Sequence, residues 1–379
     1  MLEEYMLDIG FTERDIKLIN NRSHNLYNFK KLYQYFEQSG INNQEFIQIV
    51  KTTPNILSTS IENIKNRVSL IQNIGFNKID TFNIIKTYPY ILELNEEKIN
   101  NKIDSFNTLG FSNKEIINII SINPSLLSVD NSGLETSYNY FKELDYPEEE
   151  ILNIINKEPS LINTSIDFLK ERINKFKILG FNKEEIIKIT SMLPSLFTSE
   201  NNPLTDKFNY LFEFGYEEED IIKIIKKIPT ILKNNYLDLL ENKLNKLLEL
   251  GFTKEDIIEI TNINPYILLY STDNISNQLY SVRELGYTIE EVLKMFRECP
   301  LLFGYDLMSI TKKISFYKEN NLEEYILDNS KILIYNLDYI KGRFNYLLNN
   351  NIDNKEDLFI SEKEFYDKYN VNSLDLIKE

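Results

Sequence analysis

The chain is poor in the residues that carry most site chemistry. It has one cysteine, one histidine and no tryptophan in 379 residues. A single cysteine, Cys299 beside Pro300, excludes an intramolecular disulfide and any multi-cysteine metal site, and reads as a small buried residue at a helix end. A single histidine, His24, cannot support a His-based metal cluster and reads as a turn residue. No phosphate-binding Gly-rich loop, dinucleotide fingerprint or Gly-x-Ser-x-Gly nucleophile elbow occurs. Apolar runs stay well short of the roughly 18 residues needed to cross a bilayer, so no membrane association is expected. The start, Met1-Leu2-Glu3-Glu4-Tyr5, has neither the basic and apolar regions of a secretory signal nor an Arg-rich, acid-poor character. A soluble intracellular chain is expected, cytoplasmic as it stands or organellar if a presequence has been removed. Positive charge is also scarce: 42 bases face 58 acids, for a net charge of −16, which works against non-specific attraction to nucleic acid or anionic membrane without excluding a local basic stripe.

What is present is a repeated phrase. A glycine, or Asp145 in its place, falls at 40, 75, 110, 145, 180, 215, 251 and 286, and a proline follows fourteen residues later each time, from Pro54 to Pro300. The interval is 35 residues, once 36. A period in this range indicates supersecondary units stacked on their neighbours. With 42% hydrophobic residues, the core can run continuously through them. The reading is a single repeat array over 1–379, with a degenerate repeat at 1–39, eight regular repeats at 40–320, and degenerate repeats with a closing cap at 321–379.

Within each unit the phrase starts and stops helices. Two residues after the glycine comes a cap residue and three after that an acid, as in Thr12/Asp15, Asn42/Glu45, Asn77/Asp80, Ser112/Glu115, Asn182/Glu185, Thr253/Asp256 and Thr288/Glu291. This is a capping box, in which two side chains satisfy backbone N–H groups at the helix start. Pro147/Glu150 and Glu217/Asp220 keep only the acid. Isoleucines at helical spacing follow until the proline, which lacks an N–H and disfavours helical geometry before it. The Ile/Leu-Leu pair after the proline predicts a short 3₁₀ turn plugging the core, and a second helix returns to the next glycine, a left-handed C-cap. Acidic clusters such as Glu148-Glu149-Glu150 and Glu217-Glu218-Glu219 lie where the capping acid always lies and predict no acid–base or metal chemistry.

These motifs, Gly-Phe, cap and acid, an Ile-rich helix and Pro-x-Ile/Leu-Leu, together with the closing Ile360-Ser361-Glu362-Lys363-Glu364-Phe365, resemble the repeats of the mitochondrial transcription termination factor (mTERF) family along essentially the whole chain. The resemblance implies an all-α, curved α-solenoid of about ten helix–3₁₀ turn–helix repeats. It also implies a non-enzymatic, nucleic-acid-binding role in organelle transcription, translation or RNA maturation, with double-stranded DNA or structured RNA as ligand.

One anomaly is a candidate site. Eight residues before the glycine landmarks, on the second helix, a base appears in seven of ten copies: Arg67, Lys102, Arg172, Lys207, Lys243, Lys313 and Arg343, with Leu32, Ser137 and Gln278 as exceptions. At 100° per residue the slot lies inside the helix's apolar arc. Such a charge either snorkels to bond carbonyls at the proline-terminated end of an adjoining repeat, or forms a ladder of cations contacting successive phosphates. Among 24 Tyr and 23 Phe, Phe76, Phe111, Phe181 and Phe252 are core by position, whereas Tyr88, Tyr90, Tyr266 and Tyr270 around the proline turns could stack bases. The expected protein is a nucleic-acid-binding monomer without cofactor or metal; the alternative is an acidic scaffold for a basic protein partner.

Overall fold

The computed structural model describes residues 2–19, 26–233 and 235–377; His24 lies outside them. Every regular element among these residues is an α-helix or a 3₁₀ turn. The chain forms two compact units, Met1–Glu200 and Asn201–Glu379.

In the first unit, regular repeats pair a ten-residue first helix with a longer second one: Asn43–Thr52 with Ile61–Asn73, Lys78–Thr87 with Glu96–Thr108, Asn113–Ile122 with Ser132–Glu143, and Glu148–Lys157 with Ile166–Ile178. Lys183–Met192 follows as a further first helix. The second unit opens on Pro203–Phe214 and continues the alternation with Glu218–Lys227, Tyr236–Glu249, Lys254–Ile263, Thr272–Glu284, Ile289–Glu298 and Leu307–Glu319.

The predicted capping boxes form with both hydrogen bonds at Asn42/Glu45, Ser112/Glu115, Asn182/Glu185, Thr253/Asp256, Thr288/Glu291 and, in the closing helix Glu362–Tyr369, Ser361/Glu364. Thr12 and Asp15 exchange the same pair of bonds at 3.1 Å each. Pro147 and Glu217 supply no side-chain cap. Each first helix stops at an extended pre-proline residue, such as Thr53 at φ −130°, ψ 69°, and a 3₁₀ turn begins at the proline, because a helical residue there would collide with the proline ring. The glycine landmark is needed for its sign of φ: Gly75 stands at +120°. Where glycine is replaced, Asp145 and Asn321 still take the left-handed conformation at 59° and 54°, the residue types that tolerate it best after glycine.

The core is a column of Ile, Leu and Phe in each unit. In one repeat Ile116, Ile119 and Ile120 from the first helix and Leu126 and Leu127 from the turn are all 0–1% exposed. Phe76, Phe111, Phe181 and Phe252 are buried as expected. Tyrosine replaces phenylalanine after Asp145 and Gly215, and each hydroxyl pairs at 2.7 Å with a threonine on the next first helix, Tyr146 with Thr190 and Tyr216 with Thr261. A buried hydroxyl without such a partner would be costly.

The capping acids have a second task. Lys51, three residues before its proline, reaches back 2.6 Å to Asp15 of the preceding repeat, and Lys86 reaches Glu45 at 3.2 Å. In the second unit Asn262 donates to Asp220 at 2.7 Å and Arg297 to Asp256 at 3.0 Å. The start of one first helix is thus tied to the end of the next. The Lys51 bond, with those from Thr12, holds the Asp15 carboxyl down to about 2.

Candidate nucleic-acid interface

The basic row singled out in the sequence lies between repeats. Lys102, Arg172, Lys207, Lys243, Lys313 and Arg343 are 2–6% exposed, and Arg67 is half-buried. The heads of five of them turn to carbonyls in or just after the next 3₁₀ turn. Arg67 donates to the Leu92 carbonyl, Lys102 to Asp130 at 2.7 Å, Arg172 to Ser199 and Glu200, Lys313 to Leu333 at 2.8 Å, and Arg343 to Leu358 and Ile360. These carbonyls lie in or just after a 3₁₀ turn and before a new helix, where the ladder of backbone bonds leaves acceptors unpaired. Two of the three exceptions to the row do the same work with neutral groups, Ser137 donating to Leu161 at 2.9 Å and Gln278 to Tyr305 at 2.8 Å; Leu32 is simply buried in the core. Beside Lys243, the Tyr236 hydroxyl takes the Leu268 carbonyl at 2.8 Å.

Burial depresses the lysines of this row. Lys102 and Lys243 fall to about 8, and Lys207 and Lys313 shift the same way. Between about 8 and the ordinary 10.5 the unfolded chain holds a proton on Lys243 that the folded chain has released, so raising the pH through this window favours the folded state. Relative to a Lys243→Met variant, the wild type is expected to gain about 2–3 kcal/mol of stability from pH 8 to pH 10.5. Urea unfolding of both proteins across that range checks it, and a constant difference would show that Lys243 titrates normally.

A different set of bases faces outward. On each first helix the slots six, three and two residues before the proline fall at i, i+3 and i+4, one helical stripe, and the residue after the proline, in the 3₁₀ turn, is counted with them. In the first unit the five regular repeats place Lys51, Lys86, Lys157 and Lys188 in these slots, otherwise filled by Asn, Ser, Thr, Gln, Ile, Met and Tyr, with no acid among them. In the second unit Lys223, Lys226, Lys227, Lys294 and Arg297 share the stripe with Glu259 and Glu298. Nine bases against two acids in these slots reverse the balance of a chain with net charge −16, and five of the nine, Lys51, Lys86, Lys223, Lys294 and Arg297, are each paired with an acid. The acids instead crowd the helix starts, where they oppose the positive end of the dipole, as the bases oppose its negative end.

The stripe borders a groove between Glu148–Lys157 and Lys183–Met192, lined toward the helix ends by Asn153, Lys157, Lys188, Ser191 and Met192. Ser191 is 8% exposed, yet its hydroxyl has no hydrogen-bond partner. Lys157 donates to the Ser191 carbonyl at 3.3 Å, which holds its ammonium over the groove. Toward the helix starts the lining turns acidic, with Asp145, Glu150 and Glu184, and Lys183 is neutralised by Asp145. Two ammonium groups and an amide at one end suit an oxyanion such as a phosphate. Of the tyrosines, Tyr90 and Tyr266 stand exposed on the same stripe, one residue after their prolines, while Tyr88 is tied to Ser128 at 2.7 Å. Counting from the glycine hides this stripe; counted from the proline, the absence of acids over five repeats is visible in the sequence alone.

Among the described residues no cluster of His, Cys, Asp and Glu could hold a metal ion, and no helix is long and apolar enough to cross a membrane. The fold and its outward basic stripe define a helical-repeat protein whose recurring landmarks serve architecture. The mTERF family model matches residues 3–108, 95–213 and 198–366. The chain therefore belongs to the mTERF family. No curated protein matches it.

Proposed function

We propose that the protein is a non-enzymatic nucleic-acid binder acting in gene expression, and that it holds double-stranded DNA or structured RNA by its phosphates along the outward stripe of the first helices. The segregation of bases onto that stripe, against an acidic whole, carries the reading. The buried row of Arg67, Lys102, Arg172, Lys207, Lys243, Lys313 and Arg343 contributes at one remove, by fixing the spacing between repeats and so the spacing between stripe cations. Contacts of this kind position a ligand without reading its sequence.

Fluorescence anisotropy with a labelled duplex DNA and a stem-loop RNA tests the reading. The Lys157→Glu/Lys188→Glu double variant is expected to bind about tenfold or more weakly, and its slope of log affinity against log salt should fall by about 0.9 for each lost duplex phosphate contact. Affinity unchanged in both parameters would remove the stripe from the interface. Absence of binding to either nucleic acid at low salt would favour the scaffold for a basic protein.

A further inference from the structure

In the second unit the inter-repeat row is broken once. Gln278 on the helix Thr272–Glu284 occupies the slot that holds a base in most repeats. It keeps the structural task, since its Nε2 donates to the carbonyls of Phe303 at 3.3 Å and Tyr305 at 2.8 Å. Two carbonyl acceptors fix the nitrogen on that side and the oxygen on the other. Gln278 is 7% exposed and its Oε1 has no hydrogen-bond partner. A buried amide oxygen without a donor is costly, and Gln278 lines a cleft with Tyr270, Asn274, Asn277, Tyr305 and Asp306.

The chemistry of the lining is one-sided. It includes a carboxylate, amide oxygens and two tyrosine rings, and no base. The absence of a side chain at Gly304 lets the Tyr270 hydroxyl lie against the backbone, because a Cβ there would stand 2.8 Å from that oxygen. Anions are disfavoured by Asp306 and by the unpaired oxygen of Gln278. A compact cation with several hydrogens answers both the unpaired acceptor and the ring faces. A competing charge, that of Lys313, stands 4.9 Å from the centre of the Tyr305 ring, and that ammonium is already held by the Leu333 carbonyl at 2.8 Å.

We propose that this cleft binds an alkylammonium group, with Gln278 Oε1 and Asp306 as acceptors and Tyr270 and Tyr305 as flanking rings. The cation is either a lysine side chain presented by another protein or a free polyamine; both offer the same head group. The proposal does not depend on nucleic-acid binding.

Titration calorimetry of the full chain in about 0.2 M salt, where non-specific attraction to an acidic protein is screened, provides the test. n-Butylammonium is expected to bind saturably and n-butanol, of the same shape without charge, at least about tenfold more weakly. Gln278→Lys keeps donors for the Phe303 and Tyr305 carbonyls, restores the residue type of the other repeats and removes the acceptor. It should fold as the wild type does and lose at least about tenfold in n-butylammonium affinity, while Asp306→Asn, which retains a helix-capping oxygen, should lose several-fold. Equal affinity in wild type and Gln278→Lys, or equal binding of n-butanol, would overturn the proposal; Asp306→Asn provides the same comparison if Gln278→Lys does not fold. Spermidine binding more tightly than a blocked Gly-Lys-Gly peptide assigns a free polyamine, and the reverse order assigns a protein lysine.

Discussion

Replacing Arg343 by methionine is expected to cost about 3–5 kcal/mol and to release the C-terminal cap. The guanidinium is 6% exposed and serves four partners: Ser373 Oγ at 2.7 Å, the carbonyls of Leu358 at 3.1 Å and Ile360 at 2.6 Å, and Glu362 at 2.8 Å. It also lies 4.4 Å from the centre of the Phe365 ring. Methionine fills similar volume without donors, so two carbonyls, a hydroxyl and a carboxylate lose their partner together. Glu362, which Arg343 and Ser373 hold below the usual carboxylate range, would return toward it. Urea unfolding followed by circular dichroism gives the energy, and hydrogen exchange of residues 355–377 gives the location. The same change at Arg67, which donates to the Leu92 carbonyl alone, should cost about 1–2 kcal/mol. Equal losses at the two positions would show that the extra partners of Arg343 contribute nothing.

The second large effect separates the two sets of bases. Lys102→Glu would place a carboxylate against the Asp130 carbonyl, in a pocket where Asp130 and Glu135 already act on the Lys102 ammonium. A buried acid facing an acceptor and two further acids is expected to cost about 4 kcal/mol or more, enough to unfold the surrounding repeats. Lys157→Glu changes charge equally but at an exposed position, and is expected to stay within about 0.5 kcal/mol of the wild type. Thermal unfolding of the two variants, beside their nucleic-acid affinity, should therefore separate them: Lys102→Glu loses the fold and binding with it, Lys157→Glu loses only binding. A stable Lys102→Glu would contradict the burial of the row.

The landmarks of the fold were legible because their causes are local. A capping box needs residues three apart, a proline acts on its predecessor, and a left-handed C-cap acts on one residue, so Ser112, Glu115, Pro124 and Gly110 could be interpreted from the sequence around them. The basic row was legible as a position but not as a set of bonds. Lys102 meets Asp130 and Arg172 meets Ser199, 28 and 27 residues on, and such a separation becomes a contact only when one repeat is laid on another. The pairing of Tyr146 with Thr190 was hidden for the same reason. Gln278 was visible as a break in the row, but the direction of its amide depends on the carbonyls of Phe303 and Tyr305. The outward stripe required no distant partner; it required only counting from the end of the helix, where the cations are, and not from its beginning.

The capping acids that also bind the following repeat have a consequence for how the array opens. Asp256 completes its own helix start and accepts from Arg297 of the next first helix; Asp15 does the same with Lys51. Unravelling either helix releases a group that the other needs. The smallest segment able to open by itself is then a neighbouring pair of repeats, and slow exchange of amide hydrogens should occur in steps about seventy residues long, twice the sequence period.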